Sequence, residues 1–129
     1  MGRPVVHFEI IGSDPAGLRG YYGRLFGWRF QVGDAATATV SRPGEYGFAG
    51  PETAGIAGGV GGGDGFAPRV LFYVGVDDVE AALAEAERLG GRRLMGPEPQ
   101  SGWRLSVGHF ADPEGNVIGV AGPPREGTR

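Results

Sequence analysis

The stretch HFEIIGSDPAGLRGYYGRLFGWRF, residues 7–30, contains the signals of a strand followed by a helix. Residues 4–11 alternate in polarity and include β-branched and aromatic side chains, a pattern that predicts a strand. Side chains alternate between the two faces of a strand, so His7 and Glu9 share one face and Phe8 lies on the other. The polar pair can serve a metal site, a catalytic dyad or a wet pocket, and the rest of the chain decides between these.

A helix is predicted directly after this strand. Asp14 followed by Pro15 favours a helix start, and Gly27 is typical of a left-handed helix end. An apolar stripe at helical spacing is expected to pack against the core. It consists of Leu18, Tyr21, Tyr22, Leu25 and Phe26. The core is also expected to include Trp28, just beyond the helix end.

The same pattern returns 64 residues later. Phe8 aligns with Phe72, Asp14 with Asp78, and GIAG at 55–58 with GVAG at 119–122. In the second half, RVLFYVGV (69–76) and VDDVEAALAEAERLGG (76–91) predict the strand and the helix, and DPEGN (112–116) predicts a tight turn capped by Asp112. Strands are also predicted at WRFQV (28–32), ATATVS (36–41), YGFAG (46–50) and within GIAGGVGGG (55–63).

Each half therefore reads βαβββ, and neither half alone buries much of its sheet. The fold class is predicted to be α+β, with helices outside the sheets. We expect one domain over residues 1–129, made of modules 4–62 and 69–122 that are joined by a glycine-rich linker.

Composition limits the chemistry and the partners. The chain of 129 residues has a net charge of −3, no cysteine, and arginine as its only basic residue besides two histidines. Thiolate and Schiff-base chemistry are therefore disfavoured. Without a basic run or a long apolar segment, nucleic acid and membranes are not expected partners. A cytoplasmic location is predicted.

The repeated unit, with HFEIIGSDPAGLRGYYGRLFGWRF, VDDVEAALAEAERLGG and FADPEGNVIGV (110–120), resembles the vicinal oxygen chelate superfamily over nearly the whole chain. That superfamily includes glyoxalases, bleomycin-resistance proteins and extradiol dioxygenases. VGVDDVEAAL and GIAGGVGGG look most like its glyoxalase-like branch. The resemblance implies two paired modules whose sheets form a cup around a central cavity. It does not select one function, because this fold hosts many chemistries.

The resemblance also implies where metal ligands lie, on the first and last strands of each module. Those positions are His7, Gly55, Leu71 and Gly119. Only His7 can bind a metal, whereas a mononuclear site generally needs about three protein ligands. No cofactor is therefore predicted. The alternative is a rearranged divalent-metal site of His7, Glu9 and His109, which requires His109 to point inward rather than to be a surface or hydrogen-bonded strand residue.

Two other interpretations of the polar residues remain. His7 and Glu9 can form a general acid/base pair, in which the carboxylate favours the protonated imidazole, or they can simply bind a ligand's polar groups. Aromatic side chains are expected to line the cavity with them. The predicted ligand-binding residues are His7, Glu9, Phe48, Tyr73, Trp103 and His109. Tyr46, two residues before Phe48, lies on the same candidate wall strand.

Two functions follow. The first is a metal-free protein that binds a small organic molecule, similar to bleomycin-resistance proteins, which commonly act as homodimers. The second is a lyase, isomerase or dioxygenase that uses the rearranged metal site or His7 with Glu9.

Overall fold

A computed structural model describes residues 2–33, 37–100 and 105–124. Contacts divide the chain into two compact units. The first unit is Val6–Val70, and the second is Leu71–Arg129 together with Met1–Val5. The single-domain organisation with modules 4–62 and 69–122 stays a prediction. Each helix in the described part of the chain is too short or too polar to span a bilayer.

The first unit carries a four-stranded mixed sheet in the order β2-β3-β4-β1. The first and last strands of the unit, β1 and β4, pair in parallel, and the other neighbours are antiparallel. The elements are β1 (Val5–Gly12), α1 (Pro15–Phe26), β2 (Gln31–Gly33), β3 (Tyr46–Ala49), α2 (Pro51–Ala54) and β4 (Gly58–Gly62).

The second unit repeats this arrangement, with the order β6-β7-β8-β5 and a parallel pair between its first and last strands. Its elements are β5 (Arg69–Gly75), α3 (Val79–Arg88), β6 (Arg92–Gln100), β7 (Leu105–Ala111) and β8 (Val117–Gly122). In both units the second, third, fourth and first strands follow one another across the sheet. The predicted α+β class and the repeated βαβββ unit are confirmed, with a short extra helix in the first unit.

Local signals correctly located the helix starts and the last turn. The side chains of Asp14 and Asp78 accept hydrogen bonds from the amides of Gly17 and Ala81, which satisfies one free N–H at each helix start. Gly27 ends α1 with φ +76°, in the left-handed region. In the second unit's last turn, Asp112 Oδ1 accepts from the amides of Glu114 and Asn116 at 2.9 Å.

The strand predicted at 36–41 is wrong for the residues that are described. The carbonyl of Thr37 accepts from the amides of Val40 and Ser41, which closes a turn. Ser41 is buried, and its hydroxyl accepts from the amide of Gly62 at 3.0 Å. These side-chain and turn hydrogen bonds replace the ladder that a strand would have made.

The expectation that the whole α1 stripe lies in the core is also wrong. Tyr21 is 61% exposed, Leu25 56% and Phe26 57%. Tyr22 and Trp28 are half-buried, and their rings lie 5.8 Å apart. One helix covers a sheet along a narrow line, so a wide apolar stripe leaves its flanks in solvent.

Candidate functional site

His7, Glu9, Tyr46 and Phe48 form a cluster in the first unit, here called the Tyr46 cluster. The hydroxyl of Tyr46 donates to Glu9 Oε1 at 3.0 Å and lies 2.8 Å from His7 Nε2. The ring of Phe48 is stacked beside His7, with centroids 6.4 Å apart. His7 and Glu9 lie two residues apart on β1, and Tyr46 and Phe48 lie two residues apart on β3. Side chains two residues apart on a strand share a face, so each strand contributes two side chains to the cluster.

Glycines in β4 make room for Tyr46. A Cβ atom on Gly59 would lie 2.1 Å from the Tyr46 ring, and one on Gly61 would lie 2.6 Å from it. On the opposite face, a Cβ on Gly58 would lie 1.9 Å from the ring of Phe8. The glycine-rich segment therefore allows aromatic rings to pack directly on the strand backbone.

The charge state of His7 differs from the expectation. Burial lowers the pKa of His7 to about 4, so the ring is neutral at pH 7. The sequence interpretation assumed that a neighbouring carboxylate would favour imidazolium. In the structure Tyr46 stands between the two groups, and the loss of hydration determines the pKa of His7.

The second unit contains a buried pair, Tyr73 and His109. The Tyr73 hydroxyl lies 2.7 Å from His109 Nε2, and the side chains are 3% and 1% exposed. Tyr73 belongs to a cluster with Leu71 and Val107. His109 is thus a hydrogen-bonded residue, as one alternative held, but it does not lie on the surface. Its neighbour Phe110 packs on the other face, with the core beside α3.

The structure corrects one metal-ligand position. In β1 and β4, Glu9 pairs with Gly59; in β5 and β8, Tyr73 pairs with Gly119. The first-unit equivalent of Gly119 is therefore Gly59 and not Gly55, because the offset falls from 64 to 60 by the last strand. Gly55 lies outside the sheet, at the end of α2 with φ +90°.

With Gly59 in place of Gly55, the four positions do not fit a metal ion of the kind that the resemblance implies. His7 uses Nε2 to contact Tyr46, and Leu71 is a buried hydrocarbon. Gly59 carries no donor, and the Tyr46 ring fills the space of its missing side chain. Gly119 is covered in the same way, since a Cβ there would lie 2.4 Å from the Tyr73 ring.

The rearranged metal site of His7, Glu9 and His109 gains no support from the structure. Within residues 2–33, 37–100 and 105–124, no three His, Asp or Glu side chains are grouped so that they could hold a metal ion.

The sequence predicts part of the Tyr46 cluster. It correctly put His7 and Glu9 on one face, and Phe48 lies beside them. Trp103 falls outside the described residues. The sequence predicts Tyr46 only as a wall residue, whereas in the structure its hydroxyl contacts both His7 and Glu9. Its alternation with Phe48 was the available signal, but sequence alone does not show which ring reaches a particular carboxylate.

A separate cleft of about 410 Å³ lies in the second unit beside α3. Apolar side chains dominate its lining, including Val74, Ala82, Leu89, Phe110 and Val120. It contains none of the predicted site residues.

Comparisons with solved structures support the fold. Methylmalonyl-CoA epimerase from Mycobacterium tuberculosis is 12% identical, with 95% of this chain and 89% of that chain covered and a TM-score of 0.66. A hypothetical protein from Bacillus halodurans is 10% identical over 100% of both chains, with a TM-score of 0.68. Methylmalonyl-CoA epimerase from Streptomyces coelicolor, in complex with 2-nitronate-propionyl-CoA, is 14% identical over 94% of each chain, with a TM-score of 0.59.

The curated proteins provide no match to this sequence. At these identities the structural likenesses show the fold alone. A family model does match directly, described as a glyoxalase-like domain and covering residues 8–121. Together with the repeated βαβββ units, this match confirms the vicinal oxygen chelate resemblance: the chain belongs to the glyoxalase-like domain family.

Proposed function

We propose that this protein binds a small, partly aromatic organic molecule at the Tyr46 cluster without a metal ion. The observation that carries the proposal is the position of Tyr46. Its ring fills the space above Gly59 where a last-strand ligand would begin, and its hydroxyl contacts both His7 and Glu9. The side chains of the Tyr46 cluster are suited to hydrogen bonding and stacking rather than to coordination of a metal ion.

The composition of the Tyr46 cluster supports an organic ligand. Phe48 and Tyr46 flank the His7 ring, each with a centroid distance of 6.4 Å. Small-molecule sites typically combine such apolar walls with a few placed polar groups. The Streptomyces coelicolor epimerase, which shares this fold, is itself in complex with an organic ligand. The ligand-binding roles of Tyr73, Trp103 and His109 stay predictions.

Metal analysis of purified protein tests the metal-free part of the proposal. After dialysis, we expect the zinc, nickel, manganese and iron contents to be far below one ion per chain, and to be equal in His7→Ala. One retained ion per chain that disappears in His7→Ala would contradict the proposal and favour the rearranged site.

Ligand binding is tested separately with a panel of small aromatic compounds, followed by intrinsic fluorescence and ligand-observed NMR. Compounds that bind the wild type should lose affinity in Phe48→Ala and Glu9→Gln. Tyr21→Ala is the matched control, since Tyr21 lies 61% exposed on α1 and outside the cluster. Equal affinity in Phe48→Ala, Glu9→Gln and the control would place binding elsewhere.

A second candidate is an enzyme of the lyase, isomerase or dioxygenase type that uses His7 and Glu9 as acid and base. The observation that favours it is the continuous hydrogen-bonded path from His7 through Tyr46 to Glu9. His7 is neutral at pH 7 and can accept a proton, as a weak base with a pKa of about 4. For any substrate that is found, Glu9→Gln should abolish turnover with the fold intact, and an unchanged rate would eliminate this role.

We further propose that the protein is cytoplasmic and forms a homodimer. The exposed apolar side chains of α1, Tyr21, Leu25 and Phe26, support an interface on the first unit. Light scattering coupled to gel filtration should give twice the mass of 13.4 kDa. A monomer at micromolar concentration would contradict the dimer without affecting the binding proposal.

A further inference from the structure

The cleft of about 410 Å³ in the second unit, here called the α3 cleft, has the size of a small-molecule site. Side chains of the sheet and of α3 line it, chiefly Val74, Phe110, Val120, Ala82, Ala86 and Leu89. Such apolar surfaces offer water few hydrogen-bond partners, so an apolar guest is favoured over water. The α3 cleft shares no residue with the Tyr46 cluster, which belongs to the first unit.

The internal repeat explains why the α3 cleft is open. At the offset of 64 that relates the two helices, Ala86 takes the place of Tyr22 and Ala82 takes the place of Leu18. In the first unit, Tyr22 is half-buried and its ring lies 5.8 Å from that of Trp28. The second helix thus has two methyl groups where the first has a phenol ring and a branched side chain.

The sheet of the second unit replaces only part of this volume. Ala49 pairs with Gly58 and Phe110 pairs with Ile118, which are equivalent positions of the two sheets. Phe110 therefore adds a ring where the first unit has the methyl group of Ala49. The second unit gains one ring on the sheet but loses a ring and a branched side chain on the helix, and the α3 cleft is the space that remains.

The charges beside the α3 cleft have one sign. Within the described part of the chain, the charged side chains in its lining are the carboxylates of Glu85 and Asp112. Arg88 already neutralises Glu85 by hydrogen bonding to both of its oxygens. Asp112 instead accepts from the neutral backbone and side-chain amides of Asn116, both at 2.9 Å. The side-chain hydrogen bond from Asn116 is the main cause that lowers the pKa of Asp112, so this carboxylate is ionised at pH 7 and favours a cationic group beside it.

We propose that the α3 cleft is a second ligand site, which binds a single aromatic ring that carries an amine. The ring lies against Ala86 and Phe110, in the space that the first unit fills with Tyr22, and the ammonium group lies beside Asp112. The ring supplies most of the affinity, because an exposed ammonium–carboxylate pair strengthens binding by only about threefold. This site goes beyond the proposed function at the Tyr46 cluster and does not rest on it.

Three ligands with the same ring and different charges test the proposal: benzylamine, benzyl alcohol and benzoate. Each is titrated into the full ¹⁵N-labelled chain at pH 7, and proton–nitrogen correlation spectra locate the amides that shift. Benzylamine should bind with a dissociation constant of about 1 mM and shift amides of α3 and β7. Benzyl alcohol should shift the same amides with about threefold weaker affinity, and benzoate should bind more weakly still.

Variants locate the ring and the amine separately. Ala86→Tyr restores the first unit's side chain and should weaken benzylamine binding by about tenfold or more, because its ring fills the space. Ala84→Tyr is the matched control, since Ala84 is exposed on the same helix and does not line the α3 cleft. Ala86→Leu fills less space and decides the matter if Ala86→Tyr does not fold. Asp112→Asn should reduce the affinity for benzylamine to that for benzyl alcohol.

The proposal is overturned if none of the three ligands shifts amides of α3 and β7, if benzoate binds most tightly, or if the Ala86 variants bind as tightly as Ala84→Tyr. Shifts of the same amides with protein concentration, in the absence of ligand, would identify a second copy of the chain as the occupant and would also overturn it. Shifts confined to the Tyr46 cluster would support the proposed function while the second site fails. Shifts confined to the α3 cleft would do the reverse.

Discussion

The two units use the same sheet in different ways. In each, a tyrosine ring lies over a glycine of the last strand and its hydroxyl contacts a histidine, at 2.8 Å in the first unit and 2.7 Å in the second. The tyrosines come from different strands, however, since Tyr46 lies on β3 and Tyr73 on β5. The shared feature is therefore the side-chain space that glycine leaves open, not an inherited aromatic position.

The two tyrosine–histidine pairs lie in different surroundings, which indicates different roles. The second-unit pair lies in an apolar cluster with Leu71 and Val107, as a structural hydrogen bond would. In the first unit, Tyr46 also donates to the carboxylate of Glu9, and His7 is only half-buried. The carboxylate beside Tyr46 and the partial exposure of His7 are the features of the first unit that favour a binding site.

The largest effect is expected when the open space over either glycine is filled. Gly59→Ala and Gly119→Ala each place a Cβ within 2.4 Å of a tyrosine ring, so each should cost about 3 kcal/mol of unfolding free energy. Urea denaturation measures this cost. Gly33→Ala is the control, because no atom lies within 4 Å of a Cβ placed on Gly33. A loss of unfolding free energy no larger than that of Gly33→Ala would show that the tyrosine rings move aside easily.

The titration of His7 gives the second prediction. Its folded pKa of about 4 lies below the unfolded value near 6.5, so the unfolded chain binds more protons between these values. Stability is therefore unaffected above about pH 6.5 and falls as the pH decreases toward 4. Between pH 7.5 and pH 5 this loss should reach about 2 kcal/mol.

Urea denaturation of the wild type and His7→Gln at both pH values isolates this contribution, because other titrating groups affect both proteins. The wild type should lose about 2 kcal/mol more than His7→Gln. If the wild type and His7→Gln lose the same unfolding free energy, His7 is hydrated in the folded protein. The first-unit histidine would then differ from a buried core residue only in its contacts.

The structural role of the second pair is tested by a double substitution. Tyr73→Phe alone should cost about 1.5 kcal/mol, because His109 loses a buried partner. Tyr73→Phe with His109→Leu should recover to within about 1 kcal/mol of the wild type, since apolar replacement of both partners can be nearly neutral. The matched first-unit double, Tyr46→Phe with His7→Leu, should not recover, because Glu9 still loses the Tyr46 donor.

Thermal and urea denaturation of these variants provides the measurement. Recovery in both units would mean that the contact with Glu9 contributes little to stability. Recovery in neither would mean that the second pair is more than a replaceable hydrogen bond.

The elements predicted well from sequence are those determined by local chemistry. Asp14 and Asp78 cap their helices because a carboxylate can satisfy free amide groups wherever a helix starts. Asp112 holds its turn by the same kind of contact, and hydrogen bonds led by that from Asn116 lower its pKa. The faces of His7 and Glu9 follow from strand alternation alone.

The errors involve distances along the chain or between strands. A repeat offset of 64 aligned Gly55 with Gly119, but the segment between the first helix and the last strand of the first unit shifts the register to Gly59. The exposed fraction of Tyr21 depends on how much of α1 the sheet covers. The charge of His7 depends on how far the folded unit removes its ring from water, which local sequence does not show.

The smallest predicted effect compares the two helices directly. Gly20 in α1 aligns with Ala84 in α3, and both positions are exposed. No atom lies within 4 Å of a Cβ placed on Gly20. Gly20→Ala should therefore stabilise the protein by about 1 kcal/mol, and Ala84→Gly should destabilise it by a similar amount, because glycine has greater backbone freedom to lose in a helix.

Thermal denaturation of both variants makes the comparison quantitative. Opposite shifts of similar size would show that both helices are limited by backbone entropy and that the glycines of α1 have no separate role at this position. A loss of stability in Gly20→Ala would instead mean that another surface packs closely on α1. Since Tyr21 and Leu25 are exposed on the same helix, such a loss at dimer-forming concentrations, but not at high dilution, would locate the proposed homodimer interface there.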